Sequence, residues 1–223
     1  KYIMAYSFKK GLPFWEVPSQ KVRSCEDFWM LLKSWQMALL IYGHQIIQKG
    51  QNIMDFITIA KTRCSIRSYT DRRVEPEKLE KILEAAHVAP TAANLQPVHL
   101  IAVQSEEGLA KIGKAANIYG APLAIIVCAD RSNAWVRPFD RKQTGDIDAS
   151  ILTDHMMLQA TELGLGSVWV CYFKPDVLCQ EFDLPANLEP INILMIGYAG
   201  ESFTDPERHS QTRIPVSELV EIL

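Results

Sequence analysis

The sequence predicts an α/β or α+β domain of 170 residues that begins at Met54. Three observations predict this class. Segments with helical periodicity are intermixed with strand-like apolar runs along the chain. Leu123–Ala129 is a continuous apolar run, which is typical of a strand covered on both faces. Gly145–Leu163 would be apolar around most of its circumference as a helix, which is typical of a helix buried centrally or at a subunit interface.

Local signals set the predicted order of helices and strands. Pro76 suits the first turn of a helix, and Ser105 can cap another one. Gly164 favours the left-handed conformation that ends a helix. The predicted helices are Asp55–Thr62, Pro76–His87, Ser105–Ala116, Gly145–Leu163, Pro175–Phe182 and Val216–Leu223, and the predicted strands are Val98–Gln104, Leu123–Ala129, Val168–Phe173 and Ile191–Tyr198.

Composition separates the chain into two unlike parts. With 48% hydrophobic and 22% charged residues and a net charge of −3, the chain is typical of a globular protein and lacks the basic footprint of a nucleic-acid binder. Residues 1–53 carry a balance of +4, whereas residues 54–223 carry −7. We therefore expect residues 1–53 to form a dispensable N-terminal extension, with an interaction arm as the alternative.

Cysteine, histidine and hydropathy patterns indicate the compartment. The five cysteines are scattered and include no CxxC pair, so we expect a reducing, cytoplasmic location. The five histidines lack the spacing of a metal site, and no metal is expected. The apolar stretch Phe28–Ile47 is interrupted by polar residues, so it predicts a packed helix and no membrane association.

The first candidate site is the segment Arg63-Cys64-Ser65-Ile66-Arg67. Two guanidinium groups four residues apart, with a hydroxyl between them, can form a cradle for an anion such as phosphate. A solvated basic turn is the alternative reading of the same residues.

The second candidate site is the loop between Pro90 and Pro97, which carries the amide side chains of Asn94 and Gln96. Amides offer donors and acceptors that suit the edge of a ring with alternating carbonyl and N–H groups. The small residues around them permit close approach of a flat ligand, although a plain structural loop is equally compatible with the pattern.

The third candidate is the glycine-rich segment Gly164-Leu165-Gly166-Ser167-Val168-Trp169. It closes a helix and opens a strand, whereas the dinucleotide-binding fingerprint follows a strand and opens a helix. It also lacks the second glycine of a serine-hydrolase elbow. Both of those enzyme classes are therefore disfavoured.

Taken together and in this order, the motifs resemble the nitroreductase family of FMN-dependent oxidoreductases, in its shorter form. The matching text comprises RCSIR, LEKILEAAHVAPTAANLQPVHLIAV, APLAIIVCAD, DIDASILTDHMMLQATELGLGSVWV, INILMIGYAG and Arg213-Ile214-Pro215. The resemblance implies an α+β fold in which helices flank a mixed sheet. It also implies an intertwined homodimer with two FMN molecules at the interface.

The resemblance further implies which residues contact FMN. The basic segment and an arginine of the tail would hold the phosphate, the amide loop would reach the flavin of the partner subunit, and the strand after the glycines would lie at the reactive edge of the ring. Flavin N5 would face the backbone N–H of Cys171 or Tyr172, so no catalytic side chain is implied. The implied contacts are Arg63, Cys64, Ser65, Arg67, Pro90, Thr91, Ala92, Asn94, Gln96, Trp169, Val170, Cys171, Tyr172 and Arg213.

In the implied reaction, NADPH or NADH reduces FMN, and a flat acceptor such as a nitroaromatic or a quinone then takes the hydride by ping-pong kinetics. One alternative is a specialised reaction on the same fold (flavin fragmentation, dehalogenation or azoline oxidation), with the loop Arg131–Gln143 as a lid or substrate contact. The other is a non-enzymatic FMN-binding partner protein.

Overall fold

Four antiparallel strands form the sheet at the centre of the domain. A computed structural model describes residues 55–200 and 204–223 of the chain. The strands pair in the order β1-β2-β4-β3, and each pairing between them is antiparallel. Among these residues, the parallel component of the predicted mixed sheet is a single bridge between Ser65 and Ser167 beside β3. The strands are β1 (Val98–Val103), β2 (Leu123–Asp130), β3 (Gly166–Val170) and β4 (Leu188–Gly197).

Helices cover both faces of this sheet, which confirms the α+β class. Asp55 caps the first helix by accepting the N–H of Thr58, and Ser105 caps the third by accepting that of Gly108. The helices are α1 (Phe56–Thr62), α2 (Pro76–His87), α3 (Glu106–Ala115), α4 (Gly145–Glu162), α5 (Pro175–Glu181), α6 (His209–Thr212) and α7 (Val216–Leu219), with 3₁₀ turns at Ala92–Asn94 and Pro206–Arg208.

Alternate residues of β2 face two separate cores. Leu123, Ile125 and Val127 pack with residues of α2 and α4 on one face. Ile126 and Cys128 pack with residues of α3 and α5 on the other. Because successive side chains of a strand point to opposite faces, a strand covered on both sides must be apolar throughout. The continuous apolar run of β2 therefore reflects its central position in the sheet.

Strand ends differ from the sequence prediction in one place that matters for the site. The predicted strand Val168–Phe173 is wrong at both ends, because β3 runs from Gly166 to Val170. It starts early because Gly166 and Ser167 pair with the end of β4. It stops early because the chain turns toward α5, where the N–H of Lys174 donates to the carbonyl of Ala115 at 3.0 Å.

The tail of the domain also departs from the prediction. The short helix α6 was not signalled by the sequence pattern, and the predicted C-terminal helix is shorter, since α7 ends at Leu219. None of the helices in the described part of the chain is long and apolar enough to cross a membrane. The predicted extension, residues 1–53, lies outside the described residues, so its role stays a prediction.

The long helix α4 presents two different apolar stripes. Leu152 and Met156 are buried in the core against the sheet. Ile147 remains 50% exposed, and Ile151 and Leu158 are half-buried. The sequence predicted that this helix is buried either centrally or at a subunit interface. One stripe of α4 lies in the core of this chain, and the other stripe is accessible at its surface.

Candidate active site

The basic segment Arg63–Arg67 runs in extended conformation beside β3. It follows the end of α1, and the N–H of Ile66 donates to the carbonyl of Ser167 at 2.9 Å. The Ile66 side chain is buried, whereas Ser65 and Arg67 on either side of it are exposed. Because side chains alternate along an extended chain, Ser65 and Arg67 share the outward face, where both can reach a ligand.

Gly166 permits this close approach of the basic segment to β3. A Cβ atom at this position would lie 2.6 Å from Cγ1 of Ile66 and 3.1 Å from its Cβ. Carbon atoms in favourable contact are separated by about 3.5–4.0 Å, so only glycine fits without displacing the segment. The second glycine of the LGLGS motif therefore sets the position of the basic segment.

Three arginines come together at the start of this segment. Burial lowers the pKa of the Arg63 guanidinium, and the positive charges of Arg208 and Arg213 lower it further. Arg208 is anchored by its side chain, which donates to the carbonyls of Arg63 at 2.8 Å and Lys61 at 3.2 Å. Arg213 was predicted to join the cradle and does lie near Arg63, whereas Arg208 was missed. A single arginine in a polar tail carries no local signal of such a role.

The negative charge of Asp154 partly offsets the lowering of the Arg63 pKa, but the described residues place no direct ion-pair partner on this cluster. Within residues 55–200 and 204–223, Arg63, Arg67, Arg208 and Arg213 take part in no ion pair. Cys64 lies between Arg63 and Arg67 in the sequence, and it is half-buried. Converging guanidinium groups repel one another unless an anion neutralises them, so the arrangement fits a phosphate ester.

The end of β3 supplies an accessible edge on the same side of the sheet. Trp169 is half-buried and Val170 is buried, but Cys171 is exposed and Tyr172 is 95% exposed. The predicted strand Val168–Phe173 included Cys171, but β3 ends one residue earlier and Cys171 is exposed. Trp169 lines a groove of about 640 Å³ together with Ile147, Ile151 and other residues of α4.

The amide loop is held in a strained conformation. Three of its residues that are not glycine, Ala93, Asn94 and Gln96, have φ angles of 50°, 54° and 53°. Such left-handed conformations persist only where surrounding contacts enforce them. The hydroxyl of Thr91 accepts the N–H of Gln96 at 3.0 Å, and the Gln96 amide donates to the carbonyl of Asn94 at 3.1 Å. The predicted residues Asn94 and Gln96 are exposed, as is Pro90.

A buried carboxylate that sequence reasoning missed supports this loop. Asp148, on the first turns of α4, is 1% exposed, and its Oδ1 accepts the N–H of Ala92 at 2.8 Å. Its position inside an apolar-looking helix was the available signal, because a carboxylate is seldom buried unless it is paired.

Three grooves of one chain separate several of the predicted site residues. Thr91 and Gln96 line a groove of about 290 Å³. Trp169 lines a second groove, and Val170 and Tyr172 line a third one at the end of α3; neither shares a residue with the first. The structure therefore brings the basic segment close to β3 and keeps the amide loop in a separate groove of the same chain.

The fold and the arginine cluster define a protein that can hold a phosphate-bearing ligand beside an accessible sheet edge. Comparison with known proteins makes this class specific. The nitroreductase family profile matches residues 60–118 and 113–198. The chain belongs to the nitroreductase family.

Three relatives illustrate the match. The crystal structure of a nitroreductase family protein from Clostridium difficile 630 is 61% identical, with a TM-score of 0.74, over 75% of this chain and 98% of that one. An FMN-dependent nitroreductase from Clostridium difficile R20291 is 31% identical, with a TM-score of 0.59, over 71% and 98%. The FMN reductase [NAD(P)H] of Bacillus subtilis is 31% identical over 169 residues, which cover 67% of this chain and 68% of the relative.

Proposed function

We propose that this protein binds FMN and passes hydride from NADPH or NADH to a flat acceptor such as a nitroaromatic or a quinone. Its class, an NAD(P)H-dependent oxidoreductase, rests on the family and on the names of its relatives. The observation that carries the proposal is the cluster of Arg63, Arg208 and Arg213 beside the extended basic segment. When bound, FMN supplies the hydride-accepting and hydride-donating ring, which no amino-acid side chain provides.

The residues near β3 would divide the work of binding. Arg63, Arg67 and Arg213 would hold the phosphate, with Ser65 donating a further hydrogen bond. Arg208 would keep Arg63 in place through the backbone contact at 2.8 Å. This cluster fits a dianionic phosphate better than a neutral ligand, because desolvated like charges are stabilised by the opposite charge between them.

The strand end would contact the ring of the flavin. Trp169 and Val170 belong to the last part of β3, and Cys171 and Tyr172 follow it in exposed positions. Backbone N–H groups at this edge would stabilise negative charge on the ring, which favours its reduced form. Nicotinamide and acceptor would use the same open edge in turn, and ping-pong kinetics would follow.

A second copy of the chain would complete the site. The exposed stripe of α4, with Ile147 and the groove of about 640 Å³, is an apolar surface beside β3. The amide loop of one chain lies in a different groove, so Pro90, Thr91, Ala92, Asn94 and Gln96 would serve the flavin held by the partner. We therefore infer a homodimer with the flavin at its interface.

An absorbance spectrum of the purified full-length protein tests the proposal. We expect a flavin spectrum that is bleached by NADPH or NADH under anaerobic conditions and restored by a quinone or a nitroaromatic. A colourless protein that takes up no added FMN would contradict it. Initial rates with each nicotinamide, at several acceptor concentrations, should give parallel double-reciprocal lines and show which nicotinamide is preferred.

A pair of arginine variants tests the role of the cluster. Arg63→Ala should weaken FMN binding by about tenfold to a hundredfold, because hydrogen bonds to charged groups contribute about 1.5–3 kcal/mol. Arg73→Ala is the matched control, since Arg73 is exposed and lies outside the cluster. Equal FMN affinity in the two variants would contradict the assignment.

The N-terminal extension has a separate test. We infer that residues 1–53 are dispensable, and that the catalytic domain comprises residues 54–223. In support, the relative with 61% identity is matched over 98% of its length by 75% of this chain. Deleting residues 1–53 should leave FMN content and reduction rate unchanged, whereas a loss of flavin would contradict the proposed boundary. The cytoplasmic location inferred from the cysteine pattern stays a prediction.

A further inference from the structure

We propose that Asp148 is a positioning residue that fixes two loops of the active site relative to each other. One is the amide loop, Thr91–Gln96. The other is the loop Asp130–Thr144, which contains the segment Arg131–Gln143, considered above as a lid or a substrate contact. The inference rests on the proposed function, since it assigns to these two loops the contacts with flavin and acceptor.

Asp148 reaches the amide loop through one short hydrogen bond. Its Oδ1 accepts the N–H of Ala92 at 2.8 Å, and Ala92 is the residue before the three left-handed positions of the loop. A carboxylate acceptor makes this bond stronger than a bond between neutral groups. The bond therefore holds the strained turn at its entry, so that Asn94 and Gln96 keep their exposed orientation.

The other carboxylate oxygen faces the second loop. Oδ2 of Asp148 lies 3.2 Å from the hydroxyl of Thr144, the last residue before α4. Thr144 in turn belongs to the loop, because its N–H donates to the carbonyl of Trp135 at 3.0 Å. A single buried carboxylate thus has one oxygen on each loop.

The second loop is ordered enough to transmit this constraint. It forms a short hairpin, in which Val136 pairs with Gln143 in an antiparallel bridge. Arg131 anchors the base of the hairpin through ion pairs with Asp146 and Glu189, both at 2.6 Å. Phe139, at the tip, is 93% exposed. The hairpin therefore presents an aromatic residue to solvent from a fixed base, as a contact for a flat acceptor requires.

Burial makes the role of Asp148 specific. A carboxylate that is 1% exposed is costly to bury unless its oxygens are satisfied. Asp148 also lies in the first turns of α4, where the helix dipole favours negative charge. A loop that was held only by exposed residues would not need a buried carboxylate.

Hydrogen exchange and flavin release in the full-length protein test the proposal. In Asp148→Ala, we expect the amides of residues 91–96 to exchange about tenfold faster or more, while the amides of β2 keep their protection. Release of FMN should accelerate by a similar factor, and the flavin absorbance maximum should shift. Asp148→Asn retains an oxygen that can accept the Ala92 N–H, so it should restore most of the wild-type behaviour.

Two further variants complete the design. Thr144→Val removes the hydroxyl that faces Oδ2 of Asp148 and leaves the hydrogen bond to Ala92 in place. It should therefore change the acceptor KM more than FMN release, and Thr144→Ser should restore it. Asp183→Asn is the control: it makes the same chemical change at an exposed residue whose left-handed φ of 49° asparagine tolerates. If Asp148→Ala does not fold, Thr144→Val carries the test, and a wild-type acceptor KM together with wild-type exchange in the loop Asp130–Thr144 overturns the proposal.

The outcomes are distinguishable from failure of the proposed function. Uniform acceleration of exchange across β2 and the loop in Asp148→Ala would overturn the positioning role, and so would a lack of rescue by asparagine. A wild-type protein that holds no FMN would overturn the proposed function and the link to flavin. In that case local exchange in residues 91–96 would still decide whether Asp148 holds the loop.

Discussion

Replacing Gly166 with alanine should displace the basic segment from β3. The added Cβ would lie 2.6 Å from Cγ1 of Ile66, about 1 Å closer than a favourable carbon contact. Ile66 cannot move aside easily, because it is buried and its β-branched side chain is stiff. The segment is also fixed by the 2.9 Å hydrogen bond from Ile66 to Ser167. Relief of the overlap therefore requires a shift of the backbone that carries Ser65 and Arg67.

The expected magnitude follows from this overlap. Overpacking a well-packed site costs about 1–3 kcal/mol. The loss of chain entropy that alanine imposes on the unfolded state offsets about 0.4–1 kcal/mol of that cost. We therefore expect Gly166→Ala to lower the free energy of unfolding by roughly 1–2 kcal/mol. FMN affinity should fall as well, because the guanidinium groups no longer converge.

Urea unfolding of the full-length protein measures the effect, with FMN titration as the second readout. The matched control is Gly113→Ala, since Gly113 lies in α3 and a Cβ there would meet nothing within 4 Å. This control should raise the free energy of unfolding by about 0.5–1 kcal/mol. In the double variant with Ile66→Ala, the cost of Gly166→Ala should largely disappear, because Cγ1 and Cγ2 of Ile66 are gone and only its Cβ remains, at 3.1 Å.

Two results would refute this reasoning. Gly166→Ala with wild-type stability and wild-type FMN affinity would show that the close approach of Ile66 is not required. A cost that stays the same in the presence of Ile66→Ala would show that the overlap lies elsewhere. A change in the dependence of unfolding on urea would indicate an altered unfolded state, so the slope must be compared before the free energies are.

Three other predictions follow from the described contacts. The hydroxyl of Tyr198 and the guanidinium of Arg72 lower the pKa of Glu75 to about 2. Because this pKa lies below the ordinary value of 4.5, the contact stabilises the fold above that pH and is lost as the pH falls toward 2. Wild type should therefore have a higher urea midpoint than Glu75→Gln near neutral pH, and this difference should become smaller as the pH falls toward 2. A difference that does not change with pH would contradict the contacts of Glu75 with Tyr198 and Arg72. Exposed Cys171 should be alkylated well before Cys128, since burial raises the pKa of the Cys128 thiol to about 12. Peptide mapping by mass spectrometry gives the order, and equally slow alkylation of both cysteines would contradict the exposure of Cys171. Arg131→Gln removes two ion pairs at the base of the hairpin. It should lower the free energy of unfolding by about 1 kcal/mol at low salt and by less at high salt. An equal loss of free energy at the two salt concentrations would exclude an electrostatic cause.

Periodicity and capping residues were enough to predict most of the fold. Ile82 and Ala86 recur at helical spacing in α2, and both are buried, as the pattern indicated. The continuous run of β2 identified a strand with two covered faces. These signals are local, because each helix or strand shows its own buried face in its own sequence. A mixed domain, α/β or α+β, could therefore be predicted before any tertiary contact was known, and the family resemblance narrowed this to α+β.

The supporting residues of the site could not be found in the same way. Arg208 contacts the carbonyl of Arg63 from 145 positions away, and Asp148 contacts Ala92 across 56 positions. Arg208 has no unusual sequence neighbourhood, and the apolar surroundings of Asp148 in the sequence do not indicate its partner. Both roles depend on which segments the fold brings together. The exposure of Cys171 was missed for a related reason, since the end of β3 depends on its pairing with β4.

The glycine-rich segment shows how local and tertiary causes combine in a single motif. Gly164 adopts a φ of +73°, which ends α4, and its role could be predicted because a left-handed helix end favours glycine. Gly166 has no such backbone requirement; it is needed because Ile66 packs against it from a segment 100 residues earlier. The motif resembles a phosphate-binding glycine loop, yet its glycines contact protein: one ends a helix and the other admits the basic segment. The proposed anion binding is therefore assigned to the arginines and not to these glycines, and substitutions at Gly164 and Gly166 should affect stability and flavin affinity in different proportions.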